Sequence, residues 1–235
     1  MPRIDIQQIL IRMLVLTLSL STHEYAHAKT AYRLGDDTAE RMGRLTLNPI
    51  KHLDPLGALA FIVAGFGWAR PVPVNPVKFD RKKVKTMRAG MMRVALAGPV
   101  SNLFIAFIAN LFYQILKFVL IALKVTANRG VAGVIEILFL ILVTFYASNI
   151  SLALFNMLPI PPLDGSRVLG GFLSDRAYQR YMSLQQYSMI ILFVIIVFGG
   201  GIIGKIIGYI AIPIDYVLRV PVEALFDALI KAVLR

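Results

Sequence analysis

The sequence predicts an all-α membrane protein: a polytopic helical bundle of four spans, with a re-entrant or partial apolar segment and a short β element on the cytoplasmic side. Three observations carry that expectation. Of 235 residues, 57% are hydrophobic and only 16% charged, with a mean hydropathy of +0.71. A soluble domain holds roughly 45–50% apolar and about 25% charged residues. Apolar runs long enough to cross a hydrocarbon core of roughly 30 Å recur along the chain, separated by basic or glycine- and proline-rich connections. The length suits one compact bundle and leaves no room for a large soluble domain.

The first segment, about 4 to 33, is long enough at 1.5 Å per residue to cross with residues to spare. Arg12 is its one awkward charge and can snorkel toward the near interface. Arg3, Arg12, the apolar run and Ala26-His27-Ala28 imitate a signal peptide, but cleavage there would sever a histidine motif, so retention is expected. Gly35-Asp36-Asp37 ends the segment. Polar and apolar residues then alternate through Met42-Gly43-Arg44-Leu45-Thr46-Leu47-Asn48-Pro49, predicting a short strand. The run 55–67 is too short and glycine-rich for a full crossing and reads as a re-entrant or partial helix.

The prolines of Pro71-Val72-Pro73-Val74-Asn75-Pro76 forbid a helix and predict extended chain. Lys78, Arg81, Lys82, Lys83, Lys85, Arg88 and Arg93 follow as a basic run suited to anionic headgroups. Three further spans are expected at about 91–123, 131–158 and 187–212, the last with Gly199-Gly200-Gly201 as a break or a packing site. Beyond Pro221, Glu223, Asp227, Lys231 and Arg235 recur every fourth residue, predicting an amphipathic helix that lies in the interface or packs on the bundle. The chain thus divides into a membrane domain, 1–212, and a C-terminal helix, 213–235.

Charge orients the bundle and narrows its partners. The net charge is +12, but the basic residues lie mainly between apolar spans and no nucleic-acid motif accompanies them, so lipid, not nucleic acid, is the expected partner. Most lie in the connection from Arg33 to Arg93, which the positive-inside rule places in the cytoplasm of a cell-membrane protein with its amino terminus outside. The third span then returns Asp164 to the side and depth of His23 and His27.

The chemistry centres on His23-Glu24-Tyr25-Ala26-His27. One helical turn separates the histidines, so both imidazoles leave the same face and can share a metal, with Glu24 beside them to take a proton from water; H-E-x-x-H is the pattern of zinc-dependent peptide hydrolysis. The pattern also occurs by chance in helices. A buried carboxylate between two histidines, however, costs several kcal/mol without a partner, which favours the metal. With no cysteine in the chain, the ligands are nitrogen and oxygen. A catalytic zinc takes three protein ligands and keeps one position open. Asp164, Asp54 and His52 are the candidates for the third, and Asp164 is strongest because Pro159, Pro161 and Pro162 break the helix just before it and Gly165 lets the backbone turn. Ser19, Ser21 and Thr22 either line a water path or bond back to their own helix.

Three elements together, His23 to His27, Gly98-Pro99-x-x-Asn102, and Asn156-x-x-Pro159 continuing to Leu163-Asp164-Gly165, resemble the signature of the site-2 protease family of intramembrane zinc metalloproteases. Gly43-Arg44-x-Thr46-Leu47-Asn48-Pro49 and Trp68-x-x-Pro71-Val72-Pro73-Val74-Asn75 resemble its bacterial and archaeal members, though no PDZ insert follows the basic run and no nucleotide-sensing domain follows the last span. The resemblance implies one zinc per chain on His23, His27 and Asp164, Glu24 as general base, and Asn156 as oxyanion donor, with Asn102 a second candidate for that donor or a packing amide. A substrate helix must unwind before it is cut, and an edge near 45–48 or at Val72, Val74 and Asn75 is suited to hold it by β-addition. The expected substrate is a single-pass membrane protein. A metal transporter or scaffold using the same three ligands is the competing class.

Overall fold

The computed structural model describes residues 6–64, 67–125 and 128–234, among which eight α-helices and three 3-10 turns are found. Helix α1 is Ile6–Arg33, α2 Thr38–Arg41, α3 Pro55–Ala64, α4 Met87–Ala122, α5 Arg129–Asn156, α6 Asp164–Gly170, α7 Asp175–Met182 and α8 Ser188–Val233. The long helices start where the sequence can cap them: Thr86 Oγ1 accepts from the Ala89 N–H at 3.0 Å, and Asn128 Oδ1 from the Val131 N–H at 3.0 Å. Helix α1 stops at Gly35, whose φ of +109° continues no right-handed helix.

Helix α4 is the centre, packing against α1, α5, α6 and α8. Its buried residues include Gly90, Ala95, Gly98, Ala106 and Ala109, small residues that let neighbouring backbones approach closely where no hydrophobic effect drives helices together. Among the described residues α4, α5 and the Gly201–Val233 part of α8 are long and apolar enough to cross a membrane. That makes three, where four were expected. Helix α1 falls short because its second half exchanges apolar residues for Ser19, Ser21, Thr22, His23, Glu24 and His27. Helix α3, with 10 residues, is about 15 Å long, half the thickness of a hydrocarbon core, and Gly65 and Phe66 of the expected partial segment lie outside the described residues.

Two further expectations are corrected. No strand forms among the described residues; an isolated antiparallel bridge joins Leu53 to Ala69. The alternation at 42–49 is overridden by side chains that bind their own backbone: Thr46 Oγ1 accepts from the Asn48 N–H at 3.1 Å, and Asn48 Oδ1 from the Ile50 N–H at 3.1 Å, opening a 3-10 turn at Pro49. At the other end, α8 runs unbroken through Gly199–Gly201 and past Pro213 and Pro221, so the last span and the C-terminal helix are one element. Its final turns pack on α4, with Lys117 Nζ 3.2 Å from Asp227 Oδ1 and the Phe118 and Phe226 rings 6.1 Å apart.

The 70–75 stretch forms no helix, as its prolines require, Asn75 is extended before a 3-10 turn that opens at Pro76, and the stretch is fastened to the end of α1 by Asp36. That carboxylate is fully buried and accepts from the Thr38 N–H (3.0 Å), the Thr38 hydroxyl (2.5 Å) and the Asn75 N–H (2.6 Å). On the same turn the Lys78 ammonium beside Asp37 holds that carboxyl below the usual carboxylate range. Asp36→Ala, which strips three donors of their acceptor, is expected to cost about 2–4 kcal/mol and to lower the thermal midpoint in detergent, whereas Asp37→Ala at the exposed pair changes it little.

Candidate metal centre

His23 and His27 leave α1 one turn apart and enter the interface with α4, where both are buried. Their rings meet edge to face with centroids 4.5 Å apart. The pairings that hold them, His23 with Asn102 and His27 with Val94, run in opposite directions along the two helices, so α1 and α4 are antiparallel here. Gly98 lies between those contacts. A Cβ at that position would sit 2.5 Å from His23 Cε1, His27 Cε1 and His27 Nε2, so the absence of a side chain makes the space the rings occupy. Pro99 withdraws one helical hydrogen bond from the same turn.

Asp164 opens α6 and reaches the histidines from the far side. The proline-rich connection ends at Leu163, and Ser166 closes the turn by donating both its N–H (3.0 Å) and its hydroxyl (2.6 Å) to the Leu163 carbonyl. Gly165 seats this turn on the end of α5, since a Cβ there would overlap the Met157 carbonyl. Asp164 Oδ2 consequently stands 3.1 Å from His23 Nε2 and 3.2 Å from His27 Nε2, and the two Nε2 atoms are 2.9 Å apart.

These three atoms fit a metal ion. His27 Nδ1 donates to the Val94 carbonyl at 2.7 Å, and His23 Nδ1 lies 2.6 Å from Asn102 Oδ1, so each ring's proton is placed on Nδ1 and each Nε2 presents a lone pair. Asp164 Oδ2 is buried and receives no hydrogen bond. Three acceptors therefore converge with no proton between them, an arrangement that a cation satisfies. Ligands about 2.0–2.1 Å from a tetrahedral zinc stand roughly 3.3–3.4 Å from one another, close to the triangle observed. Among the described residues this is the one such cluster.

The two other candidate ligands are elsewhere. His52 is buried with Nε2 2.7 Å from the Thr46 carbonyl, and Asp54 Oδ1 accepts from the Gly57 N–H at 2.8 Å, capping α3.

Glu24 lines a cavity of about 510 Å³ together with His23, His27, Asp164, Asn156, Val72 and Val74. Its Oε2 accepts from the Val72 N–H at 2.8 Å, so the extended stretch touches the carboxylate directly. Asn75 does not share this cavity's wall; its side chain caps the turn at Pro76. Asn156 borders the cavity and donates one amide hydrogen to the Leu152 carbonyl at 2.9 Å. Asn102 is fully buried behind His23, with its amide nitrogen 2.7 Å from Asn149 Oδ1, so neither end of its amide is turned to the cavity. A smaller cavity of about 150 Å³ adjoins, between α1 and α3 at Trp68. Ser21 and Thr22 bond back to the Thr17 and Leu18 carbonyls, while Ser19 accepts from Asn149.

Sequence reasoning missed Val94 and Asn149, and it met Arg44 only within a motif, with no role assigned. Arg44 is buried and donates from Nη2 to the Arg70 (2.6 Å) and Pro71 (3.4 Å) carbonyls; burial first, then the charge of Arg70, pushes its guanidinium below the usual value. Pro71 C=O and Val72 N–H belong to one peptide unit, so Arg44 holds from one side the group that Glu24 holds from the other. Arg44→Gln is expected to keep zinc at the wild-type level and to lower kcat/KM about tenfold, the equivalent of one charge-assisted hydrogen bond of about 1.5 kcal/mol, read from kinetics and metal content on one preparation.

Fold and site define a helical membrane protein that presents a His-His-Asp cluster able to hold a metal ion, with an adjacent glutamate. Residues 11–199 match the model of peptidase family M50. The chain is 40% identical over 185 residues to YwhC of Bacillus subtilis, a candidate zinc metalloprotease, covering 79% of each chain. It is 28% identical over 186 residues to Rip2 of Mycolicibacterium smegmatis (77% of this chain, 64% of that one) and 30% identical over 184 residues to Rip2 of Mycobacterium tuberculosis H37Rv (76% and 63%), both also named as candidate zinc metalloproteases. No solved structure matches. The protein belongs to peptidase family M50, the site-2 protease family.

Proposed function

We propose that this chain is a zinc-dependent intramembrane endopeptidase that cuts transmembrane segments of single-pass membrane proteins, to release a regulator or to clear a remnant. The observation that carries it is the Glu24 carboxylate, set beside three converging acceptor atoms and against an extended backbone. His23, His27 and Asp164 would hold the zinc. When bound, zinc supplies Lewis acidity, lowering the pKa of water toward neutrality and polarising the scissile carbonyl. Glu24 takes the proton of the attacking water and delivers it to the leaving amine. Asn156, on the cavity wall, supplies an amide N–H for the developing oxyanion. The unwound substrate lies along 70–74, where Val72 and Val74 border the cavity.

The distribution of basic residues supports a centre on the cytoplasmic side of a multi-pass cell-membrane protein, with the basic run at 78–93 on anionic headgroups. The test is cleavage of a panel of single-pass substrates by purified protein in detergent, with zinc counted per chain, then stripped and restored. One zinc per chain, with cleavage lost on stripping and regained on zinc addition, is expected. Metal bound with no substrate cut and metal carried across vesicle membranes would favour the transporter.

A further inference from the structure

We propose that Asn149 is a positioning residue for the metal centre: acting through Asn102, it fixes which ring nitrogen of His23 carries the proton. The inference rests on the zinc reading above and extends it to residues on α5 that touch neither metal nor substrate.

The two ligand histidines are oriented in different ways. His27 Nδ1 meets the Val94 carbonyl, which can only accept, so that ring's proton is fixed at once. His23 Nδ1 meets an amide side chain, and an amide turned end for end would offer N–H₂ in place of oxygen. With that face reversed, the His23 proton would move to Nε2 and the ligand lone pair would point away from Asp164 and His27. What prevents the reversal is the next link. Asn102 Nδ2 donates to Asn149 Oδ1 at 2.7 Å, and Asn149 Nδ2 donates in turn to the Phe145 backbone carbonyl at 2.8 Å and to Ser19 Oγ at 2.8 Å.

The Phe145 carbonyl is again an obligate acceptor. It therefore sets Asn149, which sets Asn102, which sets His23. Each polarity is determined from a backbone oxygen outward through two amides. Ser19, Asn102 and Asn149 are fully buried and His23 is 4% exposed, so no water competes for these links. Three helices contribute: α1, α4 and α5. Ser19 is the dispensable branch, because a hydroxyl both donates and accepts and so sets no direction.

The experiment uses the full chain in detergent, labelled with ¹⁵N-histidine; with three histidines in the sequence, each ring is assignable. Zn²⁺ affinity is measured by competition with a chelator for wild type, Asn149→Leu and Ser19→Ala, and ¹⁵N shifts locate the His23 proton. Expected are a wild-type His23 protonated on Nδ1, a 10- to 100-fold loss of zinc affinity in Asn149→Leu, the range for partners of metal ligands, and near wild-type affinity in Ser19→Ala. Wild-type affinity in Asn149→Leu, or an equal fall in Ser19→Ala, overturns the relay and leaves a packing role. If Asn149→Leu does not fold, the wild-type spectrum decides, because a proton on His23 Nε2 is incompatible with the relay. A wild type that binds no zinc sinks the zinc reading instead, and the His23 proton in the metal-free protein still decides this one.

Discussion

Glu24→Gln is expected to keep one zinc per chain and to lose cleavage by a factor of about 10² to 10⁴, the contribution of a positioned general base. The substitution is nearly isosteric. The amide oxygen can still accept from the Val72 N–H, so the wall of the cavity keeps its shape, while an amide cannot take a proton from water. Nothing in the metal triangle uses Glu24: its three edges run between His23, His27 and Asp164. Zinc content and single-turnover cleavage on the same preparation separate the two properties. Equal cutting by Glu24→Gln would remove Glu24 from the mechanism. A transport or structural site would bind zinc in both proteins and be indifferent to the change.

Gly98→Ala is expected to reduce bound zinc well below one per chain and cleavage with it. One methyl group would arrive 2.5 Å from carbon and nitrogen atoms of both ligand rings, nearer than atoms of these types approach. Neither ring can step aside without breaking its Nδ1 contact, and displacement by about 1 Å of a preorganised group costs roughly a hundredfold. Gly133→Ala on α5 is the control, because a Cβ there meets nothing within 4 Å. Metal analysis of the two variants distinguishes a local collision from a general effect of adding a methyl to a helix. Full zinc in Gly98→Ala would show that the α1–α4 spacing is softer than its contacts indicate.

What the sequence made legible was local. The four-residue spacing of His23 and His27 and the proline cluster before Asp164 are short-range patterns, and the structure brings these three residues together. The non-helical 70–75 stretch was legible for the same reason, since proline dictates its own backbone, whereas Pro76 opens a 3-10 turn. The strand at 42–49 was misread because alternation is a weak signal where Thr46 and Asn48 offer the backbone nearer partners. The sequence divided helix α8 at Pro213, but a helix packed on neighbours tolerates the loss of a hydrogen bond at Pro213 or Pro221. Asn149 and Arg44 were out of reach on other grounds. Their partners lie 47 residues away at Asn102, 130 at Ser19 and 26 at Arg70, separations that no periodicity encodes.

The stripe Val94, Gly98 and Asn102 works as a lock on sliding. Val94 faces the His27 ring, Asn102 the His23 ring and Gly98 both, and the three recur every fourth residue on a single face of α4. Advancing α4 by one residue would rotate that face by about 100°, carrying carbonyl, gap and amide away from both imidazoles together. The α1–α4 pair is thus a rigid block whose two parts admit no intermediate offset. Breathing that lets a polypeptide reach Glu24 falls to the elements around the block, and amide exchange should be slowest along these two helices near the ligands.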